Sequence, residues 1–148
     1  MKFIADVMLG RLAKRMRLLG LDVIYDTALD DNGIIRLSLE QDRVILTRDT
    51  DLTARPLAAN HLFITSDLLL EQVEQVRSTF PLDSLPLTRC SECNEPLALL
   101  DKHEVRDLVP PYVYETRNEF LRCKSCGRIY WKGSHVKRMA LPARMKKK

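Results

Sequence analysis

A chain of 148 residues, 45% hydrophobic and 30% charged, has the size and composition of one ordinary globular domain, or of a small domain with a minidomain attached. These proportions exclude a disordered chain, and the apolar stretch Leu68-Leu69-Leu70 is broken at Glu71, far short of the roughly 20 residues that span a bilayer. The formal charge of +4 is unevenly spread: ten basic residues and no acid lie between Phe120 and Lys148, whereas Asp22 to Asp51 holds eight acids.

Lys2 to Ala5 reads as a strand. Asp6 then interrupts the apolar run that a secretory leader would continue, so export is not expected and the cytoplasm is the expected compartment. Leu9, Leu12, Ala13, Met16 and Leu19 recur at helical spacing, and Gly20 supplies a stop. Leu21 to Tyr25 is a second strand, Gly33 to Glu40 a short helix with Ile34, Leu37 and Ile35 as its inward candidates, and Arg43 to Thr47 a third strand. Leu62 to Thr65 reads as a fourth strand, followed by a helix from Leu68 to Arg77. This alternation predicts an α/β fold: a small, mostly parallel sheet with helices on both faces and the third strand beside the first.

From Leu82 onward the helical signal fades. Five of the seven prolines fall between Pro81 and Pro111, all four cysteines lie in the second half, and Pro110-Pro111-Tyr112-Val113-Tyr114 reads as short strands and turns. The expected division is residues 1–82, then a cysteine-bearing unit over 83–143, then a basic, disordered tail over 144–148.

Cys90-x-x-Cys93 and Cys123-x-x-Cys126, separated by 29 residues, suit a tetrahedral soft cation, because each pair can form a knuckle that offers two thiolates. The competing readings are two disulfides or four buried thiols, and a cytosolic setting disfavours the first. Four thiolates leave no open position, so a Zn²⁺ held there is structural. His103 and His135 are not needed as ligands.

Asp6 ends the first strand, Asp49 follows the third, and Asp30 and Asp31 precede the helix that leads into the third. In a doubly wound sheet all of these positions fall on the carboxyl edge, where open α/β folds bind ligands. Carboxylates converging there suit Mg²⁺ or Mn²⁺, with Asp51 as an outer ligand. The competing reading makes Asp6, Asp31, Asp49 and Asp51 helix caps. No Gly-x-x-x-x-Gly-Lys loop or Gly-x-Gly-x-x-Gly turn occurs, and Asp6-Val7-Met8 lacks the second acid of an aspartyl-phosphate phosphatase. Arg11, Lys14, Arg15 and Arg17 crowd the first helix and Arg48 abuts Asp49. Arg122, Lys124, Arg128, Lys132, Lys137 and Arg138, interleaved with Tyr130 and Trp131, suit a nucleic acid, with Trp131 better placed to close a small core.

These residues resemble the PIN-like ribonuclease family named for the Mut-seven C-terminal RNase domain. The likeness rests on Asp6-x-x-Leu9-Gly10-Arg11-Leu12-Ala13, Leu18-Leu19-Gly20-x-Asp22 and Leu46-Thr47-Arg48-Asp49-x-x-Leu52. The second half adds Arg89-Cys90-x-x-Cys93-Asn94-x-x-Leu97 and the run from Cys123 through Gly127-Arg128-Ile129-Tyr130-Trp131 to Gly133-Ser134-His135. The resemblance implies a PIN-like α/β nuclease domain, an acidic metal-dependent site and an appended zinc ribbon. Asp6 and Asp49 match the family's first and late acids, and Asp30 or Asp31 the middle one, with Glu40 too far along the helix to substitute. The expected activity is metal-dependent hydrolysis of RNA, single-stranded RNA included, with Arg48, Arg11 and Lys14 holding phosphate and Arg122, Lys124 and Arg128 of the ribbon aiding binding. The alternative is a non-catalytic RNA-binding or RNA-processing interaction module.

Overall fold

A computed structural model describes residues 1–83 and 86–132. The expected end of the ribbon at 143, the tail over 144–148, and His135, Lys137 and Arg138 lie outside the described residues. None of the described helices is long and apolar enough to cross a membrane.

The first part alternates β1 (Lys2–Ala5), α1 (Gly10–Leu18), β2 (Asp22–Ile24), α2 (Asp31–Gln41), β3 (Arg43–Thr47), α3 (Thr50–Thr53), β4 (His61–Phe63) and α4 (Leu69–Thr79). Short 3-10 turns at Val7–Leu9 and Pro56–Ala58 join these elements. The four strands form one parallel sheet in the order β2-β1-β3-β4, so β3 lies beside β1 as the alternation predicts. Every residue of β3 is buried, as a strand covered on both faces requires. Phe3, Ala5, Val23, Val44 and Leu46 pack under α1 and α4, while Ile4 and Ile45 meet Ile34 and Ile35 of α2 with Leu52 and Ala58. Both isoleucines of α2 are thus inward, and Leu37 only flanks them.

Gly20, at φ 91°, ends α1: its amide bonds to the Arg17 carbonyl and that of Leu21 to the Met16 carbonyl, a turn that a β-carbon would strain. The chain then enters β2 at once.

The second part is an antiparallel sheet of β5 (Leu97–Leu100), β6 (Phe120–Cys123) and β7 (Ile129–Tyr130) in that order. Its core is small: Phe120 with Val105, Val109 and Val113, flanked by Trp131. Residues 110–114 form no strand. Pro111–Thr116 is a helix, α5, because proline at a first helical position loses no needed hydrogen bond and brings a helical φ with it.

The two sheets are joined through α1, β2 and the first cysteine turn. Arg17 is no surface cation: it is 5% exposed and donates to the carbonyls of Val23 (2.8 Å), Ser91 (2.9 Å) and Glu92 (3.3 Å). Asn94 accepts from the Val23 amide on edge strand β2 and donates to Asp22 (2.8 Å), which also pairs with buried Arg43 at 2.9 Å. Burial works to raise the Asp22 carboxyl, but hydrogen bonds from Arg43 and Asn94 and the charges of Arg43 and Arg89 outweigh it and hold the carboxyl below its ordinary range. A depressed carboxyl stabilises the fold at neutral pH and loses that contribution as pH falls through its folded value. Asp22→Ala is therefore expected to cost about 3 kcal/mol at neutral pH, since it strands the buried Arg43 charge, and to flatten the acid limb of the stability curve. Urea melts across pH check both, and an unchanged midpoint would contradict the role of this junction.

Candidate functional site

Asp6 follows β1 directly, and its amide continues the ladder to the Leu46 carbonyl of β3 at 2.9 Å. Its side chain is 6% exposed: Oδ1 accepts from the Val7 amide (2.7 Å) and Oδ2 from the Thr47 hydroxyl (2.9 Å). The Thr47 hydroxyl in turn accepts from the Asp49 amide at 2.9 Å. One buried threonine at the end of β3 thus ties together the two acids on adjacent strand ends. Asp6 and Asp49 do cap helical turns, Asp49 through its bond from the Asp51 amide, yet a carboxylate oxygen that accepts one hydrogen bond keeps a second lone pair. Capping and ligation are compatible here.

Asp30 and Asp31 part company. Asp30 is the cap of α2, its Oδ1 accepting from the Gly33 amide at 2.8 Å, while Asp31 lies inside the first turn. Asp51 likewise sits within α3, exposed. The Asp31 carboxyl is raised above its ordinary value by burial, then by the charges of Asp49 and Asp6, with Asp30 adding least and Arg55 opposing. Asp31 therefore shares one electrostatic field with both strand-end acids. Among the described residues, though, no three carboxylates have oxygens all within 4.8 Å of one another.

A carboxyl raised on folding favours the fold while protonated and opposes it once pH rises through the folded value. Asp31→Asn is accordingly expected to raise the melting temperature at neutral pH in EDTA, with the gain vanishing in acid. A lower melting temperature at neutral pH would show that crowding of negative charge does not govern this edge.

The basic candidates divide by place. Arg11 is exposed on the first turn of α1, Lys14 pairs with Glu92 of the cysteine turn at 3.4 Å, and Arg48 is half-buried with Nη1 away from solvent and without a hydrogen-bond partner among the described residues. Arg122, Lys124 and Arg128 are exposed on the second sheet and its turn. Tyr130 and Trp131 are half-buried and tied to the protein's own interior: the Tyr130 hydroxyl lies 3.1 Å from Cys90 Sγ and accepts from the Ser91 amide, and Trp131 packs on Phe120.

The four cysteines form the one group of three or more possible ligand residues among the described residues whose donor atoms all lie within 4.8 Å of one another. All are free thiols. The two turns are built alike: the Cys90 carbonyl accepts from the Asn94 amide and the Cys90 amide donates to the Glu95 carbonyl, as Cys123 does with Gly127 and Arg128. Asn94 (φ 64°) and Gly127 (φ 79°) occupy the same left-handed position, which suits these two residue types. Cys90 and Cys126 Sγ are 3.7 Å apart, against the about 3.8 Å edge of a tetrahedron with metal–sulfur bonds of about 2.3 Å. Burial works against ionisation of Cys90, but hydrogen bonds from Tyr130, from the Cys93 and Glu92 backbone and from Cys126 bring it down to about 7, whereas burial and the neighbouring sulfurs push Cys93 up to about 12. One thiolate forms readily and a second is resisted, a crowding that a dication removes.

Thr47 stood in the sequence as the end of the third strand and a member of the Leu46-Thr47-Arg48-Asp49 motif, with no role given to it. Asn32 and Arg55 meet only through the fold: Arg55 Nη2 donates to Asn32 Oδ1 at 2.6 Å. A family model described as Mut7-C RNAse domain matches residues 1–142. Comparisons with curated proteins and with solved structures gave no match.

Proposed function

The chain belongs to the Mut7-C RNase domain family, and from that premise we propose that it is a metal-dependent ribonuclease whose site is the carboxyl edge of the parallel sheet. The observation that carries the reading is the Asp6–Thr47–Asp49 linkage across β1 and β3, at the switch point of the sheet, with Asp31 in the same field. Asp6 and Asp49 would hold Mg²⁺ or Mn²⁺, Asp31 is the middle acid in preference to the capping Asp30, and Asp51 is accessory. Such an ion supplies Lewis-acid polarisation of the scissile phosphate and a more acidic water. Thr47 holds the Asp6 carboxylate and the Asp49 backbone amide, and Arg48 and Arg11 offset phosphate charge.

The four-cysteine cluster is a structural Zn²⁺ site in this reading, closed to substrate. Its first turn docks at the amino end of β2, near the far end of α1 from Asp6. Nine helical residues span about 13 Å. A strand bound by Lys124 and Arg128 would reach the acids along α1 past Lys14 and Arg11.

Purified protein incubated with labelled RNA and DNA in Mg²⁺, Mn²⁺ or EDTA, beside Asp49→Asn, tests this. Divalent-dependent RNA cleavage lost in the variant is expected. Tight RNA binding without cleavage under any condition would replace the enzyme with a binding module.

A further inference from the structure

Arg55 lies where the backbone is pinned on both sides. Its amide donates to the Leu52 carbonyl at the end of α3, and its carbonyl accepts from Ala58, which is buried with Ile34 and Ile35 beneath α2. The side chain reaches back to Asn32, the neighbour of Asp31 in the first turn of α2. Arg55 thus spans from the helix that Asp49 caps to the helix that Asp30 caps.

Its partner is the surprising part. With Asp31 close enough that the charge of Arg55 opposes the upward push of burial, Asp49 and Asp6 on that carboxyl, an ion pair would be the simple outcome. Among the described residues Arg55 forms no ion pair within 4.0 Å; its guanidinium bonds to a neutral amide instead. Of five N–H donors one is engaged there, and the residue is exposed. A cation aimed by a neutral partner, beside acids with which it forms no ion pair, keeps a fork of donors for an anion from solution. A guanidinium fork matches phosphate oxygens two at a time. The rigid backbone and the Asn32 bond lower the side-chain entropy cost of holding it.

We propose that Arg55, aimed by Asn32, grips a backbone phosphate of the RNA strand at the acidic edge. The inference rests on the ribonuclease reading above and adds to it a phosphate contact at the α2–α3 side of the site.

The test is the salt dependence of affinity for a short single-stranded RNA without divalent ions, on the Asp49→Asn background, where no strand is cut and one acid's repulsion is gone. Adding Arg55→Gln should flatten the slope of log affinity against log salt by about 0.7, the share of one phosphate contact on a single strand. Arg55→Lys should restore the slope, since it returns the charge, and also shows that the position tolerates change. In the otherwise wild-type protein with Mn²⁺, Arg55→Gln should lower kcat if the contact is to the scissile phosphate, or raise KM alone if it is to a neighbour. An unchanged slope overturns the inference, and if Asp49→Asn has meanwhile lost cleavage the ribonuclease reading stands without it. A slope that flattens in a protein that cuts no RNA keeps the phosphate contact and removes the ribonuclease reading.

Discussion

Cys123→Ser is expected to abolish zinc binding by the four-cysteine cluster and melt the three-stranded sheet. Cys123 is buried at the end of β6, its carbonyl and amide close the second cysteine turn, and its sulfur belongs to the four-thiol cluster. Structural zinc contributes about 10–16 kcal/mol in small zinc-bound peptides at neutral pH, as much as the about 5–15 kcal/mol that holds a whole domain folded. The core around Phe120, with three valines beside it, cannot replace that contribution. The chain's single tryptophan, Trp131, packs on Phe120, so its fluorescence reports this sheet alone. We expect zinc near one per chain in wild type and near zero in the variant, with a red-shifted Trp131 emission. The parallel sheet should survive with a lower melting temperature, because Arg17 and Asp22 lose the partners that Ser91, Glu92 and Asn94 provide. Full zinc occupancy and native emission in the variant would remove the metal from the account.

Asp6→Asn is expected to lower RNA cleavage by roughly a hundredfold or more, since the several kcal/mol of charge stabilisation that a divalent ion supplies depend on the carboxylates that hold it. The fold should be kept. The substituted amide still offers an oxygen to the Val7 amide or the Thr47 hydroxyl, and it removes one negative charge from the field around Asp31. Cleavage assays should be read beside zinc content and circular dichroism. A variant that keeps its zinc and its fold and cuts at the wild-type rate would reduce Asp6 to a helix cap.

The parts of this fold written in local patterns were legible. β1 and β3 have the bounds their apolar runs predict, and the paired Cys-x-x-Cys spacing led to the thiol cluster. α3 was not foreseen, because Thr50-Asp51-Leu52-Thr53 is one turn with a single buried residue and carries no period. α5 was misread because Pro110-Pro111 suggested a turn, although a proline can open a helix as well as end one. Arg17 looked like one more member of a basic run, and only the docking of the cysteine turn gives it carbonyls to hold. At the acidic edge the chain order put Asp6 and Asp49 at the ends of adjacent strands, while which of Asp30 and Asp31 caps α2 is visible only in the fold. Thr47 and the Arg55–Asn32 pair are products of tertiary contact between segments that no periodicity connects.

Whether the strand-end carboxylates hold a hard cation is measured directly by counting bound Mn²⁺ with electron paramagnetic resonance. Zinc-loaded wild-type protein titrated with Mn²⁺ should show one weak site, and Asp6→Asn and Asp49→Asn should each lose it while retaining zinc. Equal Mn²⁺ binding by wild type and both variants would contradict a metal centre on this edge.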